Sequence, residues 1–287
     1  MKILQMSQPS LPERTPRMAD HRSIANKTRY LRTASLALLA MMASAPLASA
    51  QEGEKVLRNM FDYVASQKNL NIAYDSDIEV VTPALQKIQF TASGQLKLSR
   101  PDSMRVTRTG GYTDAEFVFD GKTFTVFGRN AGVYAQWEAP GTIGQLVGRL
   151  RDEAGLDVPG ADLLLARGYD ELMSDVVEVK HIGRGVIDGK DCDHLAFRNP
   201  DVDWQVWIEA GDKPIPRKYI ITSKAVTGAP QYTLRFKDWN TDAGASSDAF
   251  SFNPPAGVRK VDMSALQDMD EVPQATQNSQ ITQGAGK

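Results

Sequence analysis

The sequence predicts an α+β protein: a strongly curved antiparallel β-sheet, shaped as half a barrel, with an N-terminal helix and a mid-chain helical lid in its concave face. Three observations predict it. About ten consecutive segments alternate apolar and polar residues and are joined by short turns, the mark of antiparallel hairpins. A helical stripe precedes them, and a second helical stretch interrupts them once. A two-layer sandwich would bury the same alternating faces and fits the strands equally well. The helices favour the curved sheet, because each must bury an apolar stripe and one hollow receives both.

The first fifty residues stand apart from the fold. Lys27, Arg29 and Arg32 precede an uncharged apolar run from Ala34 to Ala45, and Ala48-Ser49-Ala50 follows. This is the basic, apolar and small-residue order of a secretory signal peptide, cut after Ala50. A membrane anchor needs about 20 apolar residues, and this run is shorter and broken by Pro46. Met1 and Met18 are both candidate starts. Gln51 rather than a cysteine follows the cut, which excludes acylation there. The expectation is a soluble periplasmic monomer with one domain over residues 51–262. The polar end, 263–287, closes with TQNSQITQGAGK and is expected to be disordered.

Charge narrows the partners. The whole chain carries 33 basic and 35 acidic residues; without the seven basic and two acidic residues of the leader, 26 and 33 remain, a net −7. Nucleic acid, which wants a basic face, is an unsuitable partner. Cys192 is the only cysteine, so no internal disulfide can form.

From Glu54 to Ser66, Val56, Leu57, Met60, Phe61 and Val64 recur at helical spacing. Strands are predicted at 70–82, 88–100 and 103–110. The second of these contains IQFTASGQLKL, in which Ile88, Phe90, Ala92, Gly94, Leu96 and Leu98 alternate strictly with polar residues. In DAEFVFDGKTFTVF, Asp120-Gly121 predicts a two-residue hairpin turn that sets Phe119 opposite Lys122 and Phe117 opposite Phe124. A strand from Gly132 to Ala139 follows. Residues 142–173 form the lid: Thr142 is an N-cap for a helix bearing Ile143, Leu146, Val147 and Leu150, and Pro159 opens a second helix through Leu163, Leu164 and Ala166. Strands resume at 174–187, turn at Asp188-Gly189, and continue over 190–198, 203–209, 216–224, 230–239 and 249–253.

Catalytic constellations are few. Outside the leader the histidines are His181 and His194. Cys192 and His194 share a strand face about 7 Å apart, but no second cysteine exists for a structural zinc site. A two-residue turn at Asp188-Gly189 would set Gly185 and Gly183 opposite them, with no acid or base. Both read as strand residues. Asn199, Asp201 and Asp203 read as a polar loop, since NPDVDW lacks the glycine and distal glutamate of a calcium loop. Gly110-Gly111 and Gly183/Gly185 open no helix and read as bulges or bends. No Gly-x-Ser-x-Gly elbow occurs. No catalytic residue, cofactor or metal is expected, and the protein is read as a non-enzyme.

The order helix, strands, helical lid, strands resembles the periplasmic lipoprotein-carrier fold of LolA and LolB. DWQVWIEAGDKPIPRKYIIT resembles the strand–turn–strand of that superfamily, and FSFNPPAGVRKVD, Phe250 to Asp262, resembles its closing strand. Over about residues 56–262 the chain is similar to an uncharacterised bacterial family of predicted periplasmic proteins, a domain of unknown function. It lacks the lipid-attachment cysteine of LolB. The resemblance implies carriage of a lipid, an acyl chain or a lipoprotein in a hydrophobic cavity. Met60, Phe61 and Val64 would form one wall, Phe90, Leu96, Leu98, Phe117, Phe124 and Val126 the floor, and Leu146, Leu150, Leu163 and Leu164 the cover. A buried 16-carbon chain would gain on the order of 12 kcal/mol before ordering costs. The alternative is an envelope interaction or scaffold protein with a packed core and no ligand.

Overall fold

Alternation of the strands resolves into one ladder. The structure, a computed structural model, describes residues 45–266 apart from 155, 157, 243 and 245. Most of the expected signal segment and the tail beyond residue 266 lie outside the described residues. Helix α1 (Ala45–Ser66) leads into six strands: β1 (Asn69–Val81), β2 (Lys87–Ser99), β3 (Ser103–Gly110), β4 (Asp114–Phe119), β5 (Thr123–Gly128) and β6 (Val133–Glu138). The lid segment follows, with α2 (Ile143–Ala154), a 3-10 turn at Asp162–Leu164 and α3 (Gly168–Met173). Then come β7 (Glu178–Ile187), β8 (Lys190–Arg198), β9 (Val202–Glu209), β10 (Pro216–Ser223), β11 (Gln231–Asn240) and the short β12 (Arg259–Lys260).

All twelve strands lie in one curved, unclosed sheet in the order β12-β6-β5-β4-β3-β2-β1-β11-β10-β9-β8-β7. Every pairing is antiparallel except β12 with β6. The two strand blocks therefore meet at β1 and β11, the first and last long strands, and the lid is inserted between blocks rather than within one. The polar sides of the strands face outward. In β2 the polar residues at odd positions are mostly exposed, while Ala92 and Leu98 are buried. Gly94 occupies an apolar place for a steric reason: the ring of Tyr74 lies across it, and a side chain there would collide. Tyr74 thereby reaches over β2 and donates its hydroxyl hydrogen to the carbonyl of Thr107 on β3 (3.0 Å).

The two Asp-Gly turns part company. Asp188 and Gly189 both adopt positive φ (49° and 76°), and Ile187 pairs directly with Lys190. This is the expected two-residue hairpin, and Gly185 and Gly183 stand opposite Cys192 and His194. At Asp120-Gly121 the expected register is wrong by two residues. Phe119 pairs with Phe124 and Phe117 with Val126. The Asp120 carboxylate accepts the backbone N–H groups of Lys122 and Thr123 (2.9 and 2.7 Å), an Asx turn that leaves only Gly121 left-handed. An even slip keeps every side chain on its expected face.

Other expectations need correction. Helix α1 runs over Ala45–Ser66, so it includes the nine residues before the expected start at Glu54. No helix opens at Pro159: Gly160 takes φ +85° there, and the chain makes only the 3-10 turn before α3. Residues 249–253 are not a strand. Ser247–Phe250 form a 3-10 turn, and Phe252 lies against the rings of Phe127 and Tyr134 on the side of β5–β6 away from the hollow. Arg105 fixes this segment by donating to the carbonyls of Ala249 and Ser251 (both 2.6 Å), and its guanidinium also pairs with Glu116. Met263–Leu266 keep one more 3-10 turn where the disordered tail was expected, and Met263 packs against the core.

Strand direction sorts the turns into two rims. Turns 100–102, 120–122, 188–189 and 210–215 lie on the lower rim, and turns 82–86, 111–113, 129–132, 199–201 and 224–230 on the upper rim. β2 begins at Lys87, but its pairing with β3 begins at Ala92. Five residues of the β1–β2 hairpin thus project about 17 Å past β3 as an arm on the upper rim.

Candidate functional site: the covered hollow

The hollow is built from alternating residues whose large apolar members fall on one side. Leu70, Ile72 and Tyr74 of β1, Leu98 of β2, Phe119 of β4, Phe124 and Val126 of β5, and Leu234 and Phe236 of β11 form one buried cluster with the stripe of α1. From the lid, Ile143, Leu146, Val147, Leu150, Leu163, Leu164 and Leu165 join the same cluster. Of the thirteen residues expected to line a pocket, ten are buried in it: Met60, Phe61, Val64, Leu98, Phe124, Val126, Leu146, Leu150, Leu163 and Leu164. Leu96 and Phe117 are partly buried against it. Phe90 is not brought together with them; it sits on the arm, edge-on to Tyr112 with ring centroids 5.8 Å apart.

The cover is held by a few polar contacts. Thr142 and Gln145 form a reciprocal capping box at the start of α2: Gln145 N–H donates to Thr142 Oγ1 (3.3 Å) and Thr142 N–H to Gln145 Oε1 (2.8 Å). Arg149 of α2 lies over the ring of Trp137 on β6 (4.2 Å to the centroid). Arg58 of α1 lies over Tyr169 of α3 (3.8 Å), and Phe61 meets the same ring edge-on. Arg100, in the turn between β2 and β3, donates to the carbonyls of Val64 and Gln67 at the end of α1 (3.3 and 3.0 Å) and of Leu164 in the lid (2.6 Å). Burial lowers the Arg100 pKa from its ordinary value, the cost of placing a cation beneath the cover. Sequence reading missed Arg100, because three carbonyl acceptors from two distant segments leave no mark in the local pattern.

A second group missed in the sequence lies higher in the hollow. Arg108 of β3 stands close enough to the hydroxyls of Tyr74 and Tyr232 to act on both electrostatically. Burial pushes Tyr74 up to about 12, with Arg108 opposing the shift, and raises Tyr232 for the same reason. The strand register carries the only advance signal: Arg108 stands opposite Gly94 and Ala115, both on the inward face.

The residues considered for chemistry are otherwise occupied. Cys192 is buried, burial raises its thiol pKa, and it donates to the Lys190 carbonyl (3.4 Å). His194 is stacked on Trp207 (4.0 Å between centroids) and hydrogen-bonded to Gln205 (3.0 Å). His181 pairs with Asp193 and Glu52 (3.2 and 3.5 Å), joining α1 to the edge strand. Asn199 accepts from Trp204 Nε1, and Asp203 pairs with Lys224. Among the described residues no group of three or more His, Cys, Asp or Glu side chains is arranged to hold a metal. Two open clefts, of about 630 and 730 Å³, lie away from the expected lining. One is polar, beside Glu209, Arg217 and Trp239; the other lies between the start of α1 and β7.

An open, curved antiparallel sheet whose apolar hollow is covered by separate helices defines the molecule as a lidded half-barrel. The chain belongs to the family described as "Predicted periplasmic protein (DUF2092)", whose model matches residues 53–264. No curated protein matches the chain. Among solved structures it is similar to an uncharacterized conserved protein from Thermus thermophilus, at 8% identity and TM-score 0.43, covering 74% of this chain and 99% of that one. It is also similar to the lipoprotein LppX of Mycobacterium tuberculosis, at 14% identity and TM-score 0.36, covering 69% and 100%. A LolA superfamily protein from Nitrosomonas europaea matches at 12% identity and TM-score 0.32, covering 70% and 97%. No described helix is long and apolar enough to cross a membrane.

Proposed function

We propose that the protein is a non-catalytic periplasmic binder of a lipid or of the acyl chain of a lipid-modified protein, with the covered hollow as its site. The observation that carries this reading is the way the hollow is closed. Its apolar floor is continuous across β1 to β5, yet α1, the lid and their turns cover it from outside the ladder. Raising the lid breaks no strand pairing. In a loaded state an acyl chain would take the place of the buried Leu146, Leu150, Leu163 and Leu164 side chains. Loading exchanges apolar side-chain contacts for apolar ligand contacts of similar worth per area. A one-domain monomer secreted by a signal peptide cut after Ala50 would suit this task, as would the absence of a nucleic-acid-binding face.

The full chain expressed with its leader, recovered from the periplasm and analysed by native mass spectrometry, should carry an acyl lipid at one per chain. The stripped protein should take up a fluorescent fatty acid, and Arg100→Ala should speed its uptake. Lipid-free protein that takes up no fatty acid, with or without Arg100, would overturn the reading.

The second reading is an envelope scaffold. Burial of ten of the thirteen expected pocket residues in one cluster favours it, and that negative result would select it.

A further inference from the structure

The strands that make the floor and walls of the hollow turn almost nothing ionic toward it. Apart from the bulged lower ends of β10 and β11, the register of β1–β5 and β9–β11 places apolar, small or uncharged residues at every inward position but one. The exception is Arg108 on β3. These strands set no carboxylate on the same face.

The surroundings of Arg108 are built around it. It stands opposite Gly94 on β2 and Ala115 on β4, two places without bulk. The phenol end of Tyr74 fills the room over Gly94 and donates to the carbonyl of Thr107 (3.0 Å), the residue before Arg108. Tyr232 approaches the same guanidinium from β11. β2 and β1 lie between β3 and β11, so a flat sheet would hold Arg108 and Tyr232 about 14 Å apart. The curvature of the sheet closes that gap, and the three side chains form a polar bar across the hollow.

The bar divides two apolar regions. Below it, β3 continues through Val106 to Met104, about 13 Å of floor that leads under the cover. Above it, the inward places on β2 and β3 are Ala92 and Gly110, which add little bulk at the mouth. Arg108 itself is half-buried. Burial holds both phenols in the neutral form, so Arg108, Tyr74 and Tyr232 together carry one positive charge. A cation on an apolar face is costly, and a hollow made for a neutral lipid has no use for one. The guanidinium fork matches the paired oxygens of a carboxylate or a phosphate.

We propose that this bar is the head-group station of the hollow. The ligand is an acyl chain that ends in one oxyanion, carboxylate or phosphate, with the head on Arg108 and the tail toward the covered floor. The inference rests on the reading of the hollow as an acyl site and narrows it from lipids in general to those with an anionic head.

Calorimetric titration of the lipid-stripped mature chain with palmitate, hexadecyl phosphate and methyl palmitate tests it. At least one of the two anions should bind about ten- to a hundredfold more tightly than the ester, the worth of hydrogen bonds to a charged group. The tighter anion identifies the head. Arg108→Gln should abolish the preference, so that acid and ester bind alike, whereas a misfolded chain would bind neither. Arg108→Lys should keep part of the preference, and Tyr232→Phe should lower it severalfold. Inorganic phosphate should not displace hexadecyl phosphate; displacement would make the bar a site for the free anion and overturn the assignment to a lipid head. Equal binding of anions and ester by the wild-type chain, or a preference that survives in Arg108→Gln, overturns the proposal and leaves carriage standing. Binding of none of the three acyl compounds removes the acyl site itself, and the station with it.

Discussion

The lower hollow and the arm above it are made from the same two strands and differ in what lies over them. In the lower halves of β1 and β2, Leu70, Ile72 and Leu98 are buried beneath α1 and the lid. In the upper halves, Ile78, Ile88 and Phe90 point to the same side, remain partly exposed and belong to no buried cluster. The strand pattern is continuous across the change. What alternates is therefore a property of the strand, whereas what is buried is a property of the segments laid over it. An apolar face can be a core at one end and stand partly exposed at the other.

That contrast can be broken at several points. The largest effect should come from Phe119→Ala, at a fully buried ring of the lower hollow, which should cost about 3–5 kcal/mol in urea unfolding. Phe90→Ala on the arm should cost a small fraction of that; equal losses would mean that the arm is core. Arg100→Ala should cost about 2 kcal/mol by leaving carbonyls of α1 and the lid without their donor. Hydrogen exchange should then quicken in α2 and at 162–164 while β1 and β2 stay protected.

Thr142→Ala should remove one half of the capping box and cost about 1 kcal/mol. Helix α2 should loosen without effect on the upper rim. The smallest effect is electrostatic, on the outer face. Hydrogen bonds from Lys237 and Ser93 hold the Asp75 carboxyl below its ordinary pKa. Its stabilising contribution is present above the ordinary carboxylate value and is lost as pH falls through the lowered folded value. Asp75→Asn should therefore be slightly less stable than wild type at neutral pH and equal to it in strong acid, as urea melts across that range would read.

Much of the candidate site could be read from residue order, because strand and helix periods are local. The stripe of α1, the alternation in β2 and the Thr142 cap are each written within a few residues. The Asp120 turn shows the limit: Asp-Gly suits two turn types, and the side-chain acceptor of Asp120 chose the one that slips the register by two. Arg100 and Arg108 were missed for a different reason. Their partners lie on separate elements, and a lone arginine in a strand or turn looks the same wherever its donors end.

The sequence by itself determined the curved antiparallel sheet as the better of two solutions, the side to which each strand turns its apolar residues, and the interruption by a helical cover. These follow from backbone periodicity and from the need of an amphipathic surface for somewhere to hide. Only the tertiary structure decided how far the cover reaches, that the Leu146 and Leu163 side chains fill the space beneath it, and that Phe90 stands outside it. Those outcomes depend on which distant surfaces meet, and contact between distant segments is set by the folded chain as a whole.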